Sequence, residues 1–289
     1  MSEWVLGVIG GSGLYEIDGL VNKRWVKVEG PFGAPSDELL MGEIGGVKLV
    51  FLPRHGRGHR IPPSDLNFRA NIDALKRAGC TDILSVSAVG SLKEALDPGT
   101  LVVVDQFIDR TFARNKSFFG PGLTAHVSMA QPVCPRLSAL ALEAGREAGG
   151  RMVQGGTYLV MEGPQFSTKA ESELYRTWNC DVIGMTNMPE AKLAREAELP
   201  YASVAMVTDY DCWREGEDHV DVAQIIACMH ANAAMAKALI VQLAARLTGP
   251  RPASPIDTCL DTAIITAPSA RDPEMIRKLD AVAGRALRG

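Results

Sequence analysis

Short apolar runs rich in Val, Ile and Leu recur along this chain, and their length limits what it can fold into. Residues 4–9, 47–53, 82–87, 101–104, 158–161, 181–185 and 201–207 each suit a buried strand. Helical patterns separate them. One covers 67–78 and stops at Gly79, the residue type that most readily closes a helix. Another opens on the capping-box arrangement Thr168-Lys-Ala-Glu171, and a third covers 189–198. Asp221 is positioned to cap a long Ala-rich amphipathic stretch that runs to Leu247. Strands alternating with helices predict an α/β fold around one main sheet. No internal repeat is visible. Residues 1–247 read as one domain, and the Pro-rich segment 248–255 as a linker to a last helix over 273–287. That tail is too short to stand alone, so 248–289 is expected to pack on the same domain.

The segments just past the strands carry the chemistry. After 4–9 comes Gly10-Gly11-Ser12-Gly13, and after 47–53 comes Arg54-His55-Gly56-Arg57. Ser87-Ala88-Val89-Gly90-Ser91 continues the third run, and Glu162-Gly163-Pro164-Gln165-Phe166-Ser167 comes after the run at 158–161. Met185-Thr186 and Thr208-Asp209-Tyr210-Asp211 close two more. In open α/β sheets the ligand lies beyond the carboxyl ends of the strands, so these segments read together as one site.

Each segment also has a plainer reading. Gly10–Gly13 does not match a dinucleotide fingerprint, since Glu16 stands where a third glycine belongs, and it lacks the Gly-Lys-Ser of a P-loop. Its backbone N–H groups and the Ser12 hydroxyl suit an oxyanion, or it is a tight turn. Arg54 has the planar fork that grips phosphate, or is a surface arginine beside a structural His55. His55 and His59 have zinc-ligand spacing only on a helix, which Gly56 and Gly58 oppose, so no metal is expected. Asp209 and Asp211 fall on one face if the segment is extended, and neighbouring carboxylates raise one pKa. Such a pair can hold and deliver a proton; the plainer reading is two solvated loop acids. Phe166 can lie against a flat heterocycle or fill the core, and Met185 can fill a gap.

The net charge of −4 over 289 residues creates no field that gathers nucleic acid or an anionic membrane. A bound phosphate must therefore be caught locally. The six cysteines form no C-x-x-C pair and are irregularly spaced, which argues against a disulfide framework and fits reduced thiols in a cytoplasm. The amino terminus lacks the basic region and apolar length of a signal peptide, and no uncharged apolar run approaches the roughly 20 residues of a membrane span.

Together, Ile9-Gly-Gly-Ser-Gly13, Pro31-Phe-Gly-Ala-Pro-Ser36, Arg54-His-Gly-Arg57, Asn71-Ile-Asp-Ala-Leu75 and Asp105-Gln-Phe-Ile-Asp-Arg110 form a family pattern. Glu162-Gly-Pro-Gln-Phe166, Gly184-Met-Thr186 and Thr208-Asp-Tyr-Asp-Cys-Trp213 complete it. In this order they resemble the trimeric purine nucleoside phosphorylase and methylthioadenosine phosphorylase family, from residue 5 to 247. The resemblance implies a nucleoside phosphorylase fold: a central mixed sheet with a partly closed barrel, flanked by helices, in a homotrimer. It implies phosphorolysis of 5′-methylthioadenosine to adenine and 5-methylthio-α-D-ribose 1-phosphate, with inorganic phosphate as co-substrate and neither cofactor nor metal.

By the same resemblance Ser12, Arg54, His55, Ser87, the Ala88 backbone and Thr186 hold phosphate. The family usually carries Thr where Ser12 and Ser87 stand, and the hydroxyl is kept. Met185 supports the ribose, Phe166 and Ser167 lie beside the purine, and Asp209 and Asp211 read the base, Asp209 assisting its departure. Val222 lines the pocket of the 5′ substituent, joined by His126 from a neighbouring subunit. The competing expectations are phosphorolysis of 5′-methylthioinosine or of purine nucleosides generally, hydrolysis, and a non-catalytic nucleoside sensor. Relatives for 6-oxopurines typically present Asn where this chain has Asp, which favours adenine.

Overall fold

The structure, a computed structural model, describes residues 3–11, 13–214 and 222–288, with residues 222–227 and 229 described by their backbone alone. Strands β1 (Val5–Gly10), β4 (Val47–Pro53), β5 (Asp82–Ser91) and β11 (Tyr201–Asp209) lie side by side in the order β4-β1-β5-β11, all parallel. Their continuous apolar content reflects burial on both faces. Along β11, Ala202, Val204 and Met206 enter one core cluster, while Ala205 and Val207 enter the other.

Beyond β4, β3 (Leu39–Ile44) and β2 (Val21–Val26) extend the sheet antiparallel. On the other side β10 (Val182–Gly184) pairs antiparallel with the last residues of β5, and β9 (Thr157–Val160) and β7 (Gln106–Asp109) come next in parallel. β6 (Thr100–Val104) pairs antiparallel with β11 and parallel with β8 (Arg151–Gln154). The sheet therefore forks at β5, which leaves β1 after Ser85 and takes up β10 at Gly90. The mixed sheet is as expected, but the barrel is not closed: among the described residues no ladder joins β7 to β8.

Helices cover both faces. On one, α1 (Phe68–Arg77) starts at Asn67, whose side chain accepts from the Ala70 N–H at 3.1 Å. Its Ile72 and Leu75 share a core with Leu193 and Ala194 of α4 (Asn187–Glu196). On the other face α2 (Pro135–Glu147) buries Leu137 and Ala141 in the same core as Leu239, Ile240 and Leu243 of α5 (Val222–Arg246). The expected box of Thr168 and Glu171 caps α3 (Lys169–Thr177). Asp221, the expected cap of α5, lies outside the described residues.

The tail differs from the expected single helix. It forms α6 (Pro273–Lys278) and α7 (Gly284–Arg288), because the intervening turn puts Leu279, Val282 and Ala283 into the core with Ile72. The segment leading to it is anchored as well: buried Arg251 pairs with Asp82 at 2.5 Å and with Asp257 at 2.7 Å. Among the described residues no helix is long and apolar enough to cross a membrane.

Candidate active site

The parallel order puts the carboxyl ends of β1, β4, β5 and β11 on one edge. β10 runs back along β5, so Met185 and Thr186 arrive where Ser87 and Ala88 lie. A cavity of about 510 Å³ opens there. Its lining includes Arg54, His55, Ser87, Ala88 and Thr186, and also Met185, Phe166, Asp209 and Asp211. Ser87, one of the first group, and Gly90, which lies against the two aspartates, are three residues apart on β5, or about 10 Å at the rise of an extended strand.

At the first end Arg54 leaves β4 with 2% of its surface exposed. Its Nε donates to Glu190 Oε2 at 3.0 Å, and Nη1 donates to the Val86 carbonyl at 3.0 Å. Nη2 reaches Ser85 Oγ at 2.6 Å, Glu190 Oε1 at 3.3 Å and the Ile9 carbonyl at 3.4 Å. Of the five N–H donors of a guanidinium, one on Nη1 is left for a ligand. Burial works to lower the Arg54 pKa, but the charge and hydrogen bonds of Glu190 outweigh it and hold the group above its ordinary value. The bidentate grip on phosphate expected of Arg54 is thus spent on Glu190.

Glu190 is itself fixed by Ser85 Oγ at 2.6 Å and by the Tyr201 hydroxyl at 2.8 Å. Asn187 joins the same buried network through Ser85 Oγ at 3.2 Å and Ser203 Oγ at 3.0 Å, and accepts from Ser87 Oγ at 3.1 Å. His55 is next to Arg54 in the chain. Its Nδ1 lies 2.8 Å from the Ile61 carbonyl, and its ring stacks on His59 with centroids 4.3 Å apart. Burial, then the Arg54 charge, lowers its pKa to about 4.

At the other end Asp209 closes β11. Its Oδ2 accepts from Thr208 Oγ1 and its Oδ1 from the Asp211 N–H, both at 2.7 Å. The expected pairing of the two carboxylates is present, but strand alternation does not produce it. Asp211 lies past the end of β11 with φ +54°, after a register shift between Val207 and Asp209. A turn brings the two together over Gly90, where a Cβ would stand 3.0 Å from Asp209 Oδ1 and 3.3 Å from Asp211 Cβ. A side chain at Gly90 would crowd both acids and Ile183. Burial raises the Asp211 pKa to about 6, and the Asp209 charge adds to it. Asp211 Oδ2 has no hydrogen-bond partner among the described residues.

Phe166 is half exposed at the rim, so it is not a core residue. Ser167 does not line the cavity; its hydroxyl donates to Met161 Sδ at 3.5 Å and its carbonyl accepts from Cys212. Met185 packs against Gly163, where a Cβ would lie 2.5 Å from its sulfur. His126 is exposed and away from the cavity, its N–H bound to the Ala263 carbonyl at 2.9 Å. Ser12 lies outside the described residues, as does the side chain of Val222. His59 and Arg60 at the mouth, and Glu190 and Asn187 behind Arg54, are site residues that the sequence pattern does not mark. Glu190 has one faint signal, an acid just after a strand end that carries Thr186.

Glu162 is structural. It accepts from Ser64 Oγ at 2.5 Å, the N–H groups of Phe112 and Ala113 at 2.6 and 3.2 Å, and Arg114 Nε at 3.2 Å. Burial tends to raise its pKa; these donors overcome that and bring it down to about 2. Among the described residues no three His, Cys, Asp or Glu side chains are grouped to hold a metal.

A mixed sheet with its cavity beyond the carboxyl edge is the plan of a small-molecule α/β enzyme. Comparison with known proteins narrows that class. The model of a family described as the phosphorylase superfamily matches residues 5–245, and this chain belongs to that superfamily. It is 61% identical over 287 residues to the S-methyl-5′-thioadenosine phosphorylase of Cereibacter sphaeroides, covering 99% of each chain. A methylthioadenosine phosphorylase from an antarctic soil metagenomic library has a solved structure that superposes with a TM-score of 0.93. That chain is 47% identical, with 98% of this chain and 99% of that one covered. The Schistosoma mansoni methylthioadenosine phosphorylase, solved in complex with adenine, gives a TM-score of 0.81 at 38% identity, covering 88% and 95%.

Proposed function

We propose that this chain catalyses phosphorolysis of 5′-methylthioadenosine, releasing adenine and 5-methylthio-α-D-ribose 1-phosphate for purine and methionine salvage. The observation that carries the reading is a single cavity with anion-binding groups at one end and a carboxylate pair at the other. The 61% identical relative bears the name of that activity. In this reading phosphate is held by Arg54, His55, Ser87, the Ala88 backbone and Thr186, with Ser12 from the glycine turn. The ribose rests on Met185, and the purine lies between Phe166 and the acids with Ser167 near.

The glycosidic bond loosens toward an oxocarbenium ion, and phosphate captures C1′ from the face opposite the departing base. Asp209 hydrogen-bonds N7, and the pair supplies the proton that lets the base leave neutral. Anion and cation attract one another in a site sheltered from water, which stabilises the transition state. No cofactor or metal enters these steps. A carboxylate accepts from a 6-amino group and repels a 6-oxo oxygen, so adenine is preferred over hypoxanthine.

The complete site belongs to a homotrimer acting in the cytoplasm, where its six free cysteines stay reduced. His126, exposed in the isolated chain, reaches the neighbour's 5′ pocket beside Val222. One experiment tests these points: product analysis with methylthioadenosine, with and without phosphate, on enzyme fractionated by size with light scattering. Adenine and methylthioribose 1-phosphate should form only with phosphate, in a fraction near three chains in mass. Free methylthioribose without phosphate would mean a hydrolase, no turnover a sensor, and full activity at one chain's mass would remove the shared site.

A further inference from the structure

We infer that His55 acts as a hydrogen-bond acceptor for the bound oxyanion, so that the site selects an anion that still carries a proton. The inference rests on the phosphate site proposed above and assigns its selectivity. The Ile61 carbonyl can only accept, so His55 Nδ1, 2.8 Å away, must carry the hydrogen of that bond. The loop makes this arrangement rigid. The His55 carbonyl accepts from the Arg60 and Ile61 N–H groups at 3.0 and 3.1 Å, and the His59 ring stacks on the imidazole at 14°. Gly56, at φ +71°, permits the turn; a Cβ there would stand 3.1 Å from the Ser36 carbonyl oxygen.

With Nδ1 as donor, a neutral imidazole presents a bare lone pair at Nε2. The surroundings keep it neutral. His55 is buried in the wall of the cavity next to the Arg54 guanidinium, and no carboxylate pairs with it among the described residues. The low pKa of His55 agrees. A lone pair facing an oxygen of a fully deprotonated oxyanion repels it, whereas it accepts a hydrogen bond from a P–OH.

The charge at this end points the same way. Arg54 is the buried cation lining it, and Glu190 meets that charge at 3.0 Å. Hydroxyls, the Ala88 backbone and one spare guanidinium N–H supply the remaining donors, and the other cation of the lining, Arg60, is exposed at the mouth, so protonation of the anion is not opposed by excess buried positive charge. Monohydrogen phosphate and arsenate qualify. Sulfate and fluorophosphate have the same double charge at pH 8 but no proton to give.

The test compares these anions on the intact enzyme at pH 8, by calorimetry without nucleoside and by competition during phosphorolysis. Phosphate and arsenate should bind on the order of 10- to 100-fold more tightly than sulfate or fluorophosphate, the range of one hydrogen bond to a charged group. His55→Ala and His55→Gln should collapse that ratio toward one, chiefly by weakening phosphate. Equal affinity of the wild-type enzyme for all these dianions would overturn the inference, and needs no variant to fold. So would His55 variants that weaken phosphate and sulfate by the same factor, the mark of a merely structural role. Absence of phosphate-dependent turnover would instead strike the phosphorolysis reading, and is seen separately from the anion ranking.

Discussion

The two ends of the cavity are built in opposite ways. At the Arg54 end, the proposed phosphate site, the buried charges already have protein partners: four Arg54 donors are committed, and Glu190 is held by Arg54, Ser85 and Tyr201. At the base end Asp211 Oδ2 is buried without a hydrogen bond among the described residues, and its backbone adopts a left-handed turn. The first end is organised before any ligand arrives, which suits a small anion that must be aimed at one carbon. The second has unmet polar capacity, which a base with its own donors and acceptors can satisfy. Preorganisation is thus concentrated where position matters most.

The largest effect should come from breaking the phosphate end from behind. Glu190→Ala leaves the Arg54 guanidinium buried without its counter-charge, a loss of about 3–5 kcal/mol for a buried pair. At roughly 2–4 °C per kcal/mol for a chain of this size, thermal melting should drop by about 6–20 °C. Phosphate KM should rise with it, and Glu190→Gln, which keeps a hydrogen bond, should lose less of both. Unchanged melting in Glu190→Ala would mean that the pair adds nothing to the cradle. The same network complicates Arg54→Ala, which strands Glu190 in turn; anion affinity and melting must be read together in that variant.

Next comes the chemistry at the base end. Asp209→Asn retains the shape of the side chain but cannot deliver a proton, so kcat/KM for methylthioadenosine should fall by on the order of 10²-fold or more. Melting should stay near that of the parent enzyme, because both Asp209 oxygens face donors that an amide oxygen can still partly satisfy. Wild-type turnover in this variant would remove Asp209 from the mechanism.

The same division governs how far these two ends are legible in the sequence. The parallel core strands are legible because they are buried on both faces and so read as unbroken apolar runs. The strand ends are legible because glycine, hydroxyl, Arg, His and Asp cluster there. β2, β3, β7 and β8 escape: Val21–Val26 is largely exposed and carries Asn, Lys and Arg, Leu39–Ile44 is interrupted by Gly42, and Gln106–Asp109 and Arg151–Gln154 are short and polar at both ends. α2 escapes despite Pro135 near its start and its buried Leu137, Ala141 and Ala144. Glu190 stays hidden because its partner is 136 residues away, and no local pattern encodes a buried ion pair of that separation. The aspartate pair is legible by composition, but the turn that assembles it depends on the register shift in β11 and on Gly90 beneath.

The smallest expected signal is also the most direct probe of the under-satisfied end. Asp211 has a pKa raised to about 6 from 3.8 by burial first and by the Asp209 charge after it. Above pH 7 Asp211 is therefore largely ionised, and below about pH 5 it already carries a proton. Adenine presents a bare N7 that needs a donor and a 6-amino group that needs an acceptor. The pair can offer both only when it carries one proton, shared as a unit rather than owned by either residue. Binding of adenine at pH 7.5 should consequently draw about one proton from solution, and the uptake should fade as the pH is lowered through 6. Calorimetric titrations in buffers of different ionisation enthalpy measure that number directly. Binding at pH 7.5 with no uptake would mean that two ionised carboxylates read the base, and the proton for its departure would then have to come from elsewhere.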